Sequence, residues 1–560
     1  MKKLIILLAT VAFFTACNDL DLSPLSEGSS ANWYSNESEI NMALNDLYRG
    51  VFWPQDGDDW TDDWTNRNNT TPINGGTING EWGSLTTWWR NTYKAISRAN
   101  TILANLEKSE GEIPEATLNA FEAEAKFVRA SMYAYLIARW GDVVYFTNVL
   151  DLEESFTLSK TDKNTIKAAV YEDYDFAANN LPDSYGSSEL NRATKGAALA
   201  MKARIALYMG DYDIARNAAQ ACMGLDIYSL YPNYQELFQS KTKNPDEVIF
   251  LMPQSAELNV YYDNTRNVIT RNAGGWCAYN PSWELWCSYL CTDGLPIDES
   301  PLFNPREPFE NRDPRCLMNI VGFQTEFLGF MYQPHPDSLE VFNFNTGKYQ
   351  FNNDTRTNKQ YASYNAMAWR KKVDDDWLDR KAEYDRILMR YADVLLMYAE
   401  ASIELGQIDD SVLEAMNMVR ARAYGVDVSD TGSYPAITTT DQAELRKTLR
   451  AERRMEFAYE GLRYMDIIRW KLAEKVLNSN IYGMLDPADL KEKVVDQGLW
   501  FFPETPEVDE DGVPNFDAMY NAGYIKLLGV RQFDAGRQYL WPIPTKEILI
   551  NDNLTQNPGY

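Results

Sequence analysis

The sequence predicts an all-α, mainly helical fold built of helical hairpins with long loop-rich insertions. Apolar residues return every three or four positions over long stretches, which gives each stretch one buried face. Three of those stretches end on a glycine preceded by small or apolar residues at matching offsets. No Pro-, Gly- or Ser-rich linker interrupts the chain after residue 35. Its 560 residues therefore read as one continuous unit, although length alone would allow about three or four domains.

The first element is a leader. Lys2 and Lys3 precede an apolar run from Leu4 to Phe14, which is too short to span a bilayer and has the layout of a secretory signal peptide. The chain is expected to leave the cytoplasm. Ala16-Cys17 at the end of the run resembles a bacterial lipoprotein processing site, with Phe14 where that pattern usually carries Leu. The resemblance implies a lipoprotein signal peptide at 1–16, an acylated Cys17 opening a lipidated tether at 17–35, and a folded domain at 36–560. Asp19 and Asp21 resemble the acidic tag that sends some lipoproteins to the outer face of the outer membrane, although a solvated linker would look the same.

The next long helix is expected at 85–106, where Leu85, Trp89, Tyr93, Ile96, Leu103 and Leu106 share a face; Trp88 and Trp89 are accordingly read as core. Further helices are expected at 118–140, 194–209, 211–222, 384–405, 411–423 and 441–477. The recurring endings are Ala134, Ile137, Gly141, then Ala203, Ala206, Gly210, then Ala399, Ser402, Gly406. Small residues let a second helix cross closely, and glycine supplies a left-handed cap. Gly210-Asp211-Tyr212-Asp213-Ile214-Ala215 resembles the turn of a tetratricopeptide hairpin. The copies do not follow one another at that repeat's period, so tetratricopeptide-like hairpins separated by insertions are expected, not a regular solenoid.

Composition excludes several functions. Removing Lys2 and Lys3 takes the formal charge from −28 to −30. Such a field argues against nucleic acid and against uronate-rich or sulfated polymers, and suits a neutral ligand. Membrane contact is left to lipid, because no basic patch or second apolar span exists. Beyond Cys17 the cysteines are Cys222, Cys277, Cys287, Cys291 and Cys316, and the close group Cys277, Cys287, Cys291 is where a bridge would be sought. Without a Cys-x-x-Cys pair, and with His335 as the sole histidine, a transition-metal site is not expected. His335 lies in Gln333-Pro334-His335-Pro336 and is read as a loop residue, not a general base. No catalytic residue is assigned.

Three motifs carry a family resemblance. The run from Arg390 through Tyr391, Asp393 and Glu400 to Ala401 is the first, and Glu452-Arg453-Arg454-Met455-Glu456-Phe457 with Glu460-Gly461-Leu462-Arg463 and Asp466-Ile467-Ile468-Arg469-Trp470 is the second. The third is Trp541-Pro542-Ile543-Pro544 through Glu547 to Asn557-Pro558-Gly559-Tyr560. With the leader and the helix carrying Tyr93, Ile96 and Asn100, these resemble the SusD/RagB family of outer-membrane nutrient-binding lipoproteins along the whole chain. The charged motif itself reads as structural: Glu452, Glu456 and Glu460 recur every fourth residue beside Arg453, Arg454 and Arg463, so they can satisfy one another and a facing helix.

The aromatic segments that helical periodicity leaves unexplained are the candidate site. Trp60, Trp64, Asn66, Arg67 and Trp82 lie in a stretch of Asp, Asn, Thr and Gly that could hardly form a core. Trp276, Tyr279, Trp283 and Trp286 crowd a second, Gly-led stretch. Tryptophan faces cover the C–H faces of sugar rings, while Asp, Asn and Arg bond hydroxyls directionally. The lesser reading is that Trp60 and Trp64 staple a short helix to the body, and Trp286 could equally anchor its loop. The family resemblance implies an aromatic arc from an N-terminal and a mid-chain loop, with Trp82 and Trp283 the leading members. It further implies capture, without chemistry, of a polysaccharide or oligosaccharide for a TonB-dependent transporter of SusC type. Three alternatives stand beside it: a peptide-binding relative, a secreted glycoside hydrolase hiding its carboxylates among Asp58, Asp59, Asp62, Asp63 and Glu81, and a purely structural envelope protein. The acidic run from Asp56 to Asp63 is also a candidate for structural calcium, without EF-hand spacing.

Overall fold

The computed structural model describes residues 33–560 except 188, 264, 375–376 and 378–380. The signal peptide, Cys17 and most of the tether lie outside the described residues.

Helices dominate: α1 (Glu37–Leu47), α2 (Gly83–Leu103), α3 (Glu115–Trp140), α4 (Lys163–Asn180), α5 (Lys195–Met209), α6 (Tyr212–Met223), α7 (Trp283–Ser288), α8 (Tyr391–Glu404), α9 (Asp410–Tyr424), α10 (Gln442–Glu456) and α11 (Arg463–Arg469). Chain neighbours pack on one another from α2 to α6, α6 packs on α8, and α8 on α9 and α10. Gly141, Gly210 and Gly406 have φ of 74°, 78° and 67°, conformations that a side chain would strain. After α5 and α8 the cap closes as a Schellman motif: Asp211 N–H donates to Ala206 O and Gln407 N–H to Ser402 O, each at 2.9 Å.

The expectation of an all-α chain needs correcting, because small antiparallel sheets form with strands ahead of α2, between α3 and α4, in the long insertion between α6 and α8, and near the C-terminus. Those used below are β1 (Trp64–Asn66) with β3 (Tyr279–Pro281), β2 (Val248–Met252) with β8 (Arg386–Arg390), and a four-stranded sheet ordered β4 (Thr325–Phe327), β5 (Phe330–Tyr332), β6 (Glu340–Asn343), β7 (Lys348–Phe351). Residues 384–390, expected as helix, are instead largely strand, because Arg386 to Arg390 find ladder partners in Met252 to Val248. The helix expected over 441–477 breaks after Glu456, where Tyr459 and Gly461 take φ of 63° and 76°. Helices α1 and α4 went unforeseen.

Two main bodies of buried side chains result. One lies among the helices; the other gathers Trp64, Trp283, Trp286, Trp369, Phe501 and Phe502 within the loop-rich part. Helix α10 joins them, with Leu445 and Leu449 in the first and Met455 in the second. Its charges are buried as an ion-pair network. Arg390 meets Glu247 at 2.8 Å and Glu456 and Glu460 at 2.7 Å, Arg315 meets Glu452 at 2.6 Å, and Arg453 bridges Asp393 at 2.8 Å and Asp466 at 3.0 Å. Burial alone would raise the Glu456 carboxyl, but Arg422, Arg390 and Arg315 outweigh it and hold it at about 2.

Candidate functional site

The same network fixes the N-terminal aromatic loop. Arg454 Nη2 lies 2.9 Å from Asp62 and 2.7 Å from Asp63, and Arg463 Nη2 lies 2.9 Å from Asp62. Burial would raise the Asp62 carboxyl, yet the two guanidinia hold it below its ordinary value. Asp56 pairs with Arg139 at 2.6 Å, and Asp58 accepts the Gly461 N–H at 3.2 Å. Gly461 is required there, since a Cβ would fall inside contact distance of Asp56 O. These acids are therefore engaged inside the fold. They form neither a calcium cradle nor a solvent-facing carboxylate pair, and among the described residues no cluster of three or more His, Cys, Asp or Glu is arranged for a metal.

β1 begins at the residue directly after this clamp. It pairs with β3 in the register Trp64↔Pro281, Thr65↔Asn280, Asn66↔Tyr279, so the N-terminal and mid-chain aromatic segments do meet. Ser282 Oγ donates to Asp62 O at 2.5 Å and ties the ribbon to the clamp. Beyond β1 the chain turns tightly, Asn69 N–H donating to Asn66 O at 2.8 Å with Arg67 at φ 51°.

Ahead of β3, Gly274 (φ 98°) and Gly275 let the chain double back on Ile269, where a Cβ on Gly275 would overlap Ile269 O. Backbone bonds from Trp276 to Arg266, Cys277 to Ile269 and Ala278 to Asn267, at 2.7, 2.9 and 2.7 Å, lock the loop and leave the Trp276 ring outside, 49% exposed. Arg67 donates to Trp276 O and Tyr361 O at 3.2 Å each, and Arg271 donates to the same two carbonyls at 3.3 and 3.4 Å. Tyr361 is 53% exposed, with the Arg67 guanidinium 5.3 Å from its ring centroid; Arg266 sits 5.2 Å from that of Trp276. The result is a surface of two exposed aromatic faces joined by arginines, with Asn66 and Tyr279 partly exposed beside it and Asn68 and Asn69 exposed on the turn.

Several sequence-expected residues do not reach this surface. Trp283 and Trp286 are buried: Trp283 donates to Asn365 O at 2.9 Å and packs edge-on against Phe502, while Trp286 packs against Phe502 and Phe309. Both lie on α7, whose six residues are all enclosed. Trp64 is buried against Trp369 and Tyr459. Trp60 is buried among Trp88, Tyr464 and Trp541, stapling its loop to the helical body. Trp82 is half-buried on the edge of Trp88, against the helical core. Tyr361 was missed because nothing near it in sequence links it to Trp276, and Arg271 because it lies just ahead of the aromatic stretch that marks the loop. All five described cysteines are free and buried, so no bridge joins the Cys277, Cys287, Cys291 group; burial pushes the Cys277 thiol up to about 12. His335 is a loop residue, as expected, its ring 4.9 Å from that of Trp500.

No described helix is long and apolar enough to cross a membrane. The sequence profile of the SusD family matches residues 246–560, and a profile described as starch-binding, associating with outer membrane, matches residues 28–207. The SusD-like protein P2 of Formosa agariphila is 25% identical over 594 residues, with 100% of each chain covered. A SusD-like carbohydrate binding protein from Bacteroides fragilis is 28% identical and superposes with a TM-score of 0.76, over 93% of this chain and 99% of that one. A laminarin binding SusD-like protein shares the fold at 21% identity, with a TM-score of 0.63 over 94% of this chain and 100% of its own. With one family profile running from residue 246 to 560, and the fold shared along nearly the whole chain, this protein belongs to the SusD family.

Proposed function

We propose that this protein captures a neutral polysaccharide or oligosaccharide on the surface formed by Asn66, Arg67, Trp276, Tyr279 and Tyr361, without transforming it. The observation that carries the reading is the Trp276 ring, held outward by a locked loop beside Tyr361 and flanked by guanidinia. Aromatic faces supply apolar contact to sugar rings, and the arginines and asparagines supply directional bonds to hydroxyls. Each contact exchanges water bonds for protein bonds at small net gain, so a polymer gains its affinity from repeated contact. The chain's negative charge repels polyanions. Family membership supports anchoring through acylated Cys17 at the outer face of the outer membrane and delivery of the glycan to a TonB-dependent transporter of SusC type. The tetratricopeptide-like hairpins would then be the rigid back of the protein. No second reading is favoured: the hydrolase alternative loses Asp58, Asp62 and Asp63 to internal contacts.

Native affinity electrophoresis of the chain lacking residues 1–17 tests this, in gels containing laminarin, soluble starch or polygalacturonate, with an assay for new reducing ends. Retardation by a neutral glycan without cleavage, lost in Trp276→Ala, is expected. Retardation by polygalacturonate alone, or release of reducing ends, would overturn it.

A further inference from the structure

The hairpin formed by β6 and β7 breaks the usual rule for a sheet with one covered face. Alternation places Val341, Asn343, Lys348 and Gln350 on one side and Glu340, Phe342, Tyr349 and Phe351 on the other, since Phe342 stands directly opposite Tyr349 and Glu340 opposite Phe351. Val341 is buried, which identifies the first side as the inner one. The outer side, where polar residues would be expected, carries aromatics instead: Tyr349 is 69% exposed and Phe351 53%. Phe344, 42% exposed at the hairpin turn, lies 5.0 Å from the Phe342 ring, which is 5.5 Å from that of Tyr349. β7 is the edge strand of its sheet, so nothing in the sheet covers this flank.

The patch is joined to the candidate site by two links. Just past β7, Asn353 N–H donates to Asn272 Oδ1 at 2.8 Å, Asn272 Nδ2 donates to Asn352 Oδ1 at 3.0 Å, and Asp354 accepts the Arg271 N–H at 2.6 Å. These bonds brace the loop that presents Trp276. From the other direction, Lys359 reaches over the Phe351 ring at 5.4 Å, only two residues before Tyr361. Lys359 thus stands between Phe351, whose ring it covers, and Tyr361 two residues further along the chain.

We infer that the outer face of this hairpin is a second glycan-stacking platform, continuous with the Trp276 surface, which lengthens the site for a polymeric neutral glycan. The inference rests on the proposed function and goes beyond it by assigning the ligand's length class and the residues that read it. Tyr349 and Phe351 offer ring faces to successive sugars, while Glu340 and Lys359 offer an acceptor and a donor at the margin. A short oligosaccharide fills the first platform alone; a polymer spans both and gains by effective concentration.

The test uses the mature chain and its Tyr349→Ser/Phe351→Ser variant, with laminarin, soluble starch, xylan and galactomannan as polymers and the hexasaccharide of each as short ligand. Because both side chains are exposed, the variant is expected to unfold at the wild-type temperature. Its affinity for the bound polymer is expected to fall about tenfold or more, with affinity for the hexasaccharide unchanged. Wild-type binding of a polymer that the variant matches would overturn the second platform alone, and would leave the hairpin as a surface for a protein partner. Absence of wild-type binding to every polymer would instead overturn the function on which it rests.

Discussion

Arg454→Met tests whether the buried charge network positions the candidate site. Arg454 and the two carboxylates it holds are each no more than 3% exposed, and its Nη2 lies 2.9 Å from Asp62 and 2.7 Å from Asp63. Asp62 keeps Arg463 at 2.9 Å in the variant, whereas Asp63 loses its guanidinium. Breaking a buried pair from one side costs about 3–5 kcal/mol. With an unfolding entropy near 2.1 cal/mol/K per residue, a chain of this size should lose about 2.5–4 °C in Tm. The pH dependence has a definite sign. Burial already raises the Asp63 carboxyl, and removing Arg454 raises it further above its unfolded value of about 3.9. The folded variant then binds more protons than the unfolded chain, so its stability falls as pH rises through that window, and its deficit is larger at pH 8 than at pH 5. Adding Asp63→Asn should restore more than half of the loss. Scanning calorimetry of the three proteins at both pH values measures this. A deficit under about 1 °C, or one that does not change with pH, would refute the clamp.

Trp283→Ala should destabilise by about 3–5 kcal/mol through the cavity it leaves, while Trp276→Ala should shift Tm by less than about 1 °C; thermal unfolding of the pair separates core from surface tryptophan. Gly461→Ala should be destabilising, because φ of 76° and contact with Asp56 O both oppose a Cβ, and weaker hydrogen-exchange protection of the amide at position 461 than in the wild type would register it. Asp58, pushed up to about 7 by burial against the partial opposition of Lys372, binds a proton in the folded state between about pH 4 and 7, so its contribution to stability is lost as pH rises through that range. Asp58→Asn should accordingly gain on the wild type from pH 5 to pH 8, by at most about 3 kcal/mol in denaturant titrations. The five described cysteines should resist a thiol reagent until the protein unfolds, since all are buried.

Helices were most legible where burial follows a 3.6-residue period, as in α2 and α6, and their glycine ends were legible because a left-handed cap has few other solutions. Arg386 to Arg390 misled, since a short apolar run beside a helix has no period of its own and only its ladder with Val248 to Met252 decides its state. The meeting of the two aromatic segments was legible through family resemblance, but the choice among their tryptophans was not. Trp276 and Trp283 differ in exposure because Gly274 and Gly275 turn one outward, while α7 folds the other onto Phe502. Tyr361 was hidden because its place beside Trp276 is set by two arginines far apart in the chain, Arg67 and Arg271.

The central claim is that the outward ring of Trp276 is where a neutral glycan sits. Titration calorimetry with the neutral polysaccharide that most retards the wild-type protein, comparing Trp276→Ala, Tyr361→Ala and Trp82→Ala, tests it most directly. The account predicts that the first two lose at least about tenfold in affinity, or about 1.4 kcal/mol, while Trp82→Ala binds as the wild type does. Full affinity in Trp276→Ala together with loss in Trp82→Ala would place the glycan elsewhere and contradict the account.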